Sequence, residues 1–374
     1  MISRALPAII LACSIAAPLA AIEDTSQVEG TAPGPTTPEA DDPIRLRELI
    51  DTLDQSSLQE SFRLLTKDYI NHEQLDPLAI NRAALQGMLS RLDFGAMLLT
   101  EKQKSERNSP FRFHDTLLTP RIAYIRFGTF KKGDVGALDK ALKSFTAEKE
   151  IQHLILDLRS PQAQAEFSIA SQILSRFRPP NELLFKIRRP GDDRPSLFIS
   201  QATDESWSKN LIILVDRETG NVGEIIAAVL KRESKCLIIG EKTPGLTVEY
   251  RDVPVGEDRI LRYAIAEVVL EDGTSIFQKG IIPDLQTVTP VEVKKAVFRE
   301  NQKGTELSEI LFQKQRPRMN EAALVAGTDP EIDYYLLRSQ NKKTQWDKAP
   351  LRDRSLMQAL DLLLTSEFLE KGAK

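Results

Sequence analysis

Three short stretches of this chain are almost wholly apolar: Leu154–Leu158, Leu211–Val215 and Leu237–Ile239. A strand with apolar residues on both faces must be covered on both sides. Helical patterns separate these stretches, over 134–149, 164–177 and 222–232. Further strands are expected at Ile122–Phe127, Leu183–Ile187 and Leu261–Leu270. Strands joined through helices require crossover connections, so the pattern predicts an α/β domain with a largely parallel sheet buried on both faces.

Around this body the chain changes character. Met1–Arg4 carries one positive charge, Ala5–Ile15 is apolar, and Ala16–Ala21 is mostly small residues. That is the layout of a secretory signal peptide over 1–21, cleaved after Ala21, with a lipoprotein signal at Cys13 as the alternative. The expected destination is the periplasm or the medium. Residues 22–43 hold four prolines without apolar periodicity and read as a flexible linker. Residues 44–93 carry apolar side chains at helical steps, with Leu58, Phe62, Leu65 and Tyr69 in one stripe. Pro77 suits a first helical turn. Residues 94–120 read as a connection, 121–290 as the α/β body, and 291–374 as a polar helical extension ending in Leu356, Leu360, Leu363 and Leu364. No later stretch is long and apolar enough to span a bilayer.

Composition excludes several functions. The 374 residues hold 50 Lys plus Arg against 54 Asp plus Glu, a formal charge of −4, which gives no basic footprint for nucleic acid. His72, His114 and His153 are scattered, and none stands at ligand spacing from a cysteine or carboxylate, so no metal or other cofactor is expected. His153 reads as an edge-strand residue. Cys236 is the one thiol outside the leader and reads as a small buried hydrophobe. Trp207 and Trp346 read as partly buried packing residues.

Three motifs then narrow the reading: LILDLR at 154–159, GEKTPG at 240–245 and KGIIPD at 279–284. In this order and context the chain resembles the C-terminal-processing (tail-specific) serine peptidases. The helical stretch at 68–93 is similar to the segment that precedes their body. The matching positions are Asp157, Leu158, Arg159, Glu224, Gly240, Glu241, Thr243, Gly245, Gly280, Pro283 and Asp284. The resemblance implies a Clp-protease/crotonase-like spiral of strand–strand–helix units, and a serine nucleophile activated by a lysine. It also implies an extended peptide or protein as client.

The chain departs from that family at the chemistry. Where the family inserts a PDZ domain, only residues 94–121 intervene. Counting back from Glu224 puts Asn221 at the nucleophile position, and an amide nitrogen is not a useful nucleophile. Leu246 stands at the lysine position and Tyr250 at that of a helper glutamine. The oxyanion positions are Ala163 and Gln164, in place of two glycines, and Val222. Thr219 and Lys242 are the nearby candidates for a displaced nucleophile and base. The expectation is an exported, proteolytically inactive relative that binds a peptide or serves as a scaffold. The alternatives are an active serine-type peptidase with displaced residues, and a structural partner of an active homologue.

Overall fold

The computed structural model describes residues 43–372, apart from 106–108, 163–165, 193, 233–235, 313–317, 320, 330 and 343–349. The expected signal peptide and linker, through residue 42, lie outside the described residues, as do Ala163, Gln164 and Trp346. The chain divides into two compact units, residues 1–80 and 81–374.

The first unit holds α1 (Pro43–Asp51), α2 (Gln55–Asp68) and the start of α3 (Pro77–Leu92). Asp54 caps α2, accepting the Ser57 N–H at 2.7 Å. Pro77 does open α3. The apolar stripe of α2 is present, yet no residue of that helix is buried.

The second unit continues with β1 (Ala96–Leu99), α4 (Glu101–Ser105), β2 (His114–Thr119), β3 (Ile122–Arg126), α5 (Lys132–Ala147), β4 (His153–Asp157) and α6 (Phe167–Leu174). It follows with β5 (Leu183–Arg188), β6 (Ser196–Ile199), β7 (Asn210–Val215), α7 (Asn221–Leu230), β8 (Cys236–Gly240), β9 (Val248–Pro254), β10 (Ile260–Val269) and β11 (Leu285–Gln286). The last helices are α8 (Val291–Gln302), α9 (Leu307–Leu311), α10 (Glu321–Ala326), α11 (Ile332–Ser339) and α12 (Arg354–Gly372). The stretch at 94–120, read above as a connection, therefore contributes two strands.

The fold is α/β, as the apolar runs require. Six strands form one sheet in the order β11-β8-β7-β4-β3-β2, parallel except for the edge pair β2–β3. Side chains alternate across its strands. Ala123, Ile125, Leu154, Leu156, Leu211 and Ile213 meet α5, α6 and α7 on one face. Ile122, Tyr124, Ile155, Ile212 and Leu214 meet Val297, Phe298, Leu356 and Leu360 on the other. The helices α8, α9 and α12 of the polar tail are thus the second layer of the core. Their apolar stripe is narrow, so the average composition hides it.

His153 is not an edge residue. It opens β4, between β3 and β7, with 1% exposure, its Nδ1 3.2 Å from Asn210 Nδ2 and its Nε2 3.7 Å from a Glu367 oxygen. Trp207 is buried and donates from Nε1 to the Asn210 carbonyl at 3.2 Å. Cys236 is half-buried, and burial pushes its thiol up to about 12, which leaves it unreactive near neutrality.

A second, antiparallel sheet runs β1-β10-β5-β6, with β9 also paired to β10. β1 and β5 share one edge of β10: β1 pairs with Ile260–Tyr263 and β5 with Glu267–Val269. Neither strand pairs with residues 264–266, and a β-bulge falls there.

Candidate functional site

In a parallel sheet every strand ends on the same side, so the loops after β4, β7 and β8 meet at one edge. These loops carry the three motif regions. After β4 comes Asp157-Leu158-Arg159. Leu158 donates its N–H to the Leu214 carbonyl of β7 at 3.0 Å. The Arg159 guanidinium lies between two carboxylates, with Nη2 at 2.6 Å from Asp157 Oδ2 and 2.8 Å from Asp353 Oδ2. Tyr124 OH donates to Asp157 Oδ2 at 2.8 Å. Burial pushes the Asp157 carboxyl up, but the charge and hydrogen bonds of Arg159 outweigh it and hold it below its usual value. This group is fully buried and joins β4 to the start of α12.

After β7 the chain makes the turn 216–220. Asp216 and Glu218 are anchored by the buried Lys294 of α8, at 2.5 and 2.8 Å, and Lys294 also donates to the Arg159 carbonyl at 2.9 Å. Thr219 is buried, and its hydroxyl accepts the Asp216 N–H at 2.9 Å to close the turn. Asn221 then opens α7 with φ +42°, an uncommon value for a residue with a Cβ. It is 2% exposed. Its Oδ1 is buried without a hydrogen-bond partner. The N–H of Val222 donates to Gln162 Oε1 at 3.0 Å.

After β8 comes GEKTPG. Gly240 has φ +137°, and a Cβ there would fall 1.8 Å from the Val215 carbonyl oxygen. Gly245 and Gly280 also have positive φ, and a Cβ on Gly280 would fall 1.9 Å from the Thr243 carbonyl oxygen. This close approach lets KGIIPD lie along GEKTPG. Thr243 N–H donates to the Ile281 carbonyl, and the Ile281 N–H to Thr243 Oγ1. Asp284 closes the unit on β8, accepting the Ile238 N–H at 2.9 Å. Pro283, just before it, is buried.

Glu224, fully buried on α7, fastens this loop. Its carboxylate accepts the Thr243 hydroxyl at 2.5 Å and the N–H groups of Gly245 and Leu246, both at 2.6 Å. Burial raises its pKa above the usual glutamate value, and these bonds oppose the rise. Leu246 is thereby set beside the turn before α7, where its Cδ1 would lie 3.3 Å from a Cβ built on Gly220.

Asn221, Val222 and Leu246 therefore come together around the start of α7. Thr219 lies close by, its methyl group 3.1 Å from a Cβ built on Gly223, but Lys242 and Tyr250 do not join them. Lys242 is exposed, and no described hydrogen bond links it to Thr219. Glu241 pairs with Arg217 at 2.9 Å. Tyr250 sits on β9 and donates its hydroxyl to the Phe94 carbonyl at 2.8 Å. Gln162 escaped the sequence reading. It falls at an unconstrained place between Arg159 and the expected oxyanion pair, and only its carboxamide, able both to donate and to accept, was a signal.

The arrangement has a buried acceptor at Asn221, a backbone donor at Val222 and an apolar wall at Leu246. Among the described residues, the strained position carries a carboxamide, its neighbour Leu246 is aliphatic, and the nearby Thr219 hydroxyl is engaged in closing its own turn. Asn221 Oδ1 can accept a hydrogen bond there, and the Val222 N–H can donate one.

The family model described as peptidase family S41 matches residues 121–287. The carboxy-terminal processing protease CtpB of Bacillus subtilis is 24% identical over 169 residues, 45% of this chain and 34% of that protein. The carboxy-terminal-processing protease of Bartonella bacilliformis is 25% identical over 232 residues, 59% of this chain and 52% of that protein. The chain thus spans about a third of the first relative and half of the second. The solved photosystem II D1 C-terminal processing protease aligns with a TM-score of 0.39 at 19% identity, over 52% of this chain and 48% of that one. Residues 121–287 of this chain are a peptidase family S41 domain, homologous to the carboxy-terminal processing proteases.

Proposed function

We propose that this is an exported S41-domain protein that binds an extended peptide without cleaving it. The observation that carries the reading is Asn221, a carboxamide at the strained, buried first position of α7, with Leu246 beside it. Loss of a nucleophile alone costs on the order of 10⁶ in rate, and a missing oxyanion donor a further 10²–10³ or so. Val222, the residue after Asn221, has its N–H engaged by Gln162. A displaced Thr219–Lys242 pair is disfavoured, since the Thr219 hydroxyl closes its own turn and Lys242 faces solvent.

Binding is supported separately. A cavity of about 450 Å³ is lined by Arg188–Asp192 at the end of β5, by Val248, by Ala264–Glu267 and by Phe277. It opens on the unpaired edge of β10, where an extended segment can add as a short strand through main-chain hydrogen bonds.

The test uses the protein expressed with its leader. N-terminal sequencing of the exported protein should begin at Ile22, and a chain starting at Met1 or Cys13 would contradict soluble export. The purified protein should bind unfolded β-casein, leave it intact, and ignore a fluorophosphonate probe. Stoichiometric labelling mapped to Thr219 would establish a displaced nucleophile instead. Asn221→Ser with Leu246→Lys should restore labelling, weakly while Gln162 holds the Val222 N–H. Capture of an active peptidase homologue without any peptide binding would favour a structural-partner role.

A further inference from the structure

Gln162 belongs to none of the three motifs, yet its side chain takes the backbone N–H that follows Asn221. Its Oε1 takes the Val222 N–H at 3.0 Å. Its Nε2 is buried without an acceptor. Space for it exists because residue 223 is glycine: a Cβ there would fall 2.9 Å from Gln162 Nε2. One further buried atom at the same helix start lacks a partner, Asn221 Oδ1. Buried polar atoms in a folded protein are nearly always paired, so two orphans side by side at one helix start mark a place built for a group that is not the protein's own.

The chemistry of the occupant follows from the atoms. A glutamine side chain is a primary amide, and it is held here as a peptide carbonyl would be. The acceptor at Asn221 calls for a ligand with an N–H, which a carboxylate does not supply and a main-chain amide does. We infer that Gln162 is a built-in competitor for a peptide-group site at the start of α7, holding the Val222 N–H until the main-chain amide of an extended polypeptide displaces it. This rests on the peptide-binding reading above and adds the residue that sets its affinity. No bond is made or broken: one neutral amide replaces another on the same donor.

A structural cap on α7 and a competitor for ligand respond differently to substitution. Removing a competitor frees the donor, whereas removing a cap only weakens the fold. With β-casein as the probe, fluorescence anisotropy should show Gln162→Ala binding about three- to tenfold more tightly than wild type, the worth of one net hydrogen bond. Gln162→Glu keeps the shape but gives the donor a charged acceptor, which is stronger and favoured at a helix N-terminus. It should therefore bind β-casein about threefold or more weakly than wild type near pH 7.5, and recover as the carboxylate is protonated.

Equal affinities for wild type and both variants, or weaker binding by a folded Gln162→Ala, would overturn the competitor role and leave peptide binding standing. Binding by none of the three would overturn both. Should Gln162→Ala fail to fold, the isosteric Gln162→Glu decides alone, since a plain cap predicts no loss of affinity from it.

Discussion

The two sides of this sheet edge have been treated differently. Around Glu224 and Arg159 the buried charges face partners: Glu224 accepts from one hydroxyl and two backbone N–H groups, and Arg159 bridges two carboxylates. A few residues away, at Asn221 and Gln162, buried polar atoms have none, and the backbone at Asn221 is held at φ +42°. The first region holds loops in place at a gain in stability. The second keeps strain and unmet hydrogen bonds, which stability alone would remove. The division fits the proposed reading, in which the parts that shape the edge are kept and the reacting side chains are not.

Arg159→Met should produce the largest effect. It leaves Asp157 and Asp353 buried without their cation, and removing one partner from such a group costs about 3–5 kcal/mol. Urea denaturation followed by circular dichroism measures it. A loss below about 1 kcal/mol would mean that β4 and α12 do not depend on this group, and the contrast drawn above would fail.

This region also separates what the sequence shows from what it hides. Leu154–Leu158 and Leu211–Val215 were readable as central strands because both faces of a parallel sheet are buried. By contrast β9, which reads VEYRDVP, has a largely polar exposed side, and β1 is only four residues long, so neither stood out. Asp157-Leu158-Arg159 was legible as a motif. Its partner Asp353 was not, because it lies 194 residues along the chain from Arg159 and no local pattern links them. The same holds at the cleft. Asn221 and Leu246 could be placed by counting from the Glu224 and Gly240 motifs, whereas Gln162 reaches the Val222 N–H across 60 residues.

Gly280→Ala ranks second. The new Cβ would fall 1.9 Å from the Thr243 carbonyl oxygen at φ +69°, so GEKTPG and KGIIPD must separate. The expected loss is about 2–4 kcal/mol. Gly273→Ala is the control, because φ is +85° but the Cβ would meet nothing within 4 Å. Its cost should be backbone strain alone, about 1 kcal/mol. Equal losses in the two variants would remove the close docking as the reason for the glycine.

Glu224→Gln should follow, at about 1–3 kcal/mol near neutral pH, because an amide nitrogen then faces donors it cannot accept from. The pH dependence has a definite sign. Burial raises the folded-state pKa of Glu224 above its unfolded value, so its contribution is complete below the unfolded pKa and falls as pH rises through the folded one. Asp252 runs the other way. Hydrogen bonds from Arg262 lead in holding it at about 2, so its contribution is present above its usual value near 3.8 and is lost as pH falls toward 2. Thermal melts against pH should therefore be flatter above pH 4.5 for Glu224→Gln, and flatter below pH 3.8 for Asp252→Asn, than for wild type. A Glu224→Gln curve parallel to that of wild type would show that the hydrogen bonds to the carboxylate fully offset the cost of burying it.

The smallest expected effect has the opposite sign and bears most directly on the contrast. Asn221→Gly removes a buried oxygen with no partner and relieves a φ of +42°, while adding the chain entropy of a glycine at the start of a helix. The first two gains together outweigh the third, so the variant should be more stable than wild type by up to about 1 kcal/mol. Asn221→Ala separates the two gains, since it removes the orphan oxygen but keeps a Cβ at positive φ. It should therefore be less stable than Asn221→Gly by about 1 kcal/mol. Both should bind β-casein more weakly than wild type, because the acceptor for the ligand's N–H is gone. Stabilisation with loss of binding would mark Asn221 as a residue kept for its ligand at the expense of the fold. A loss of stability in Asn221→Gly would instead make the asparagine part of the scaffold, and the division between the two regions would disappear.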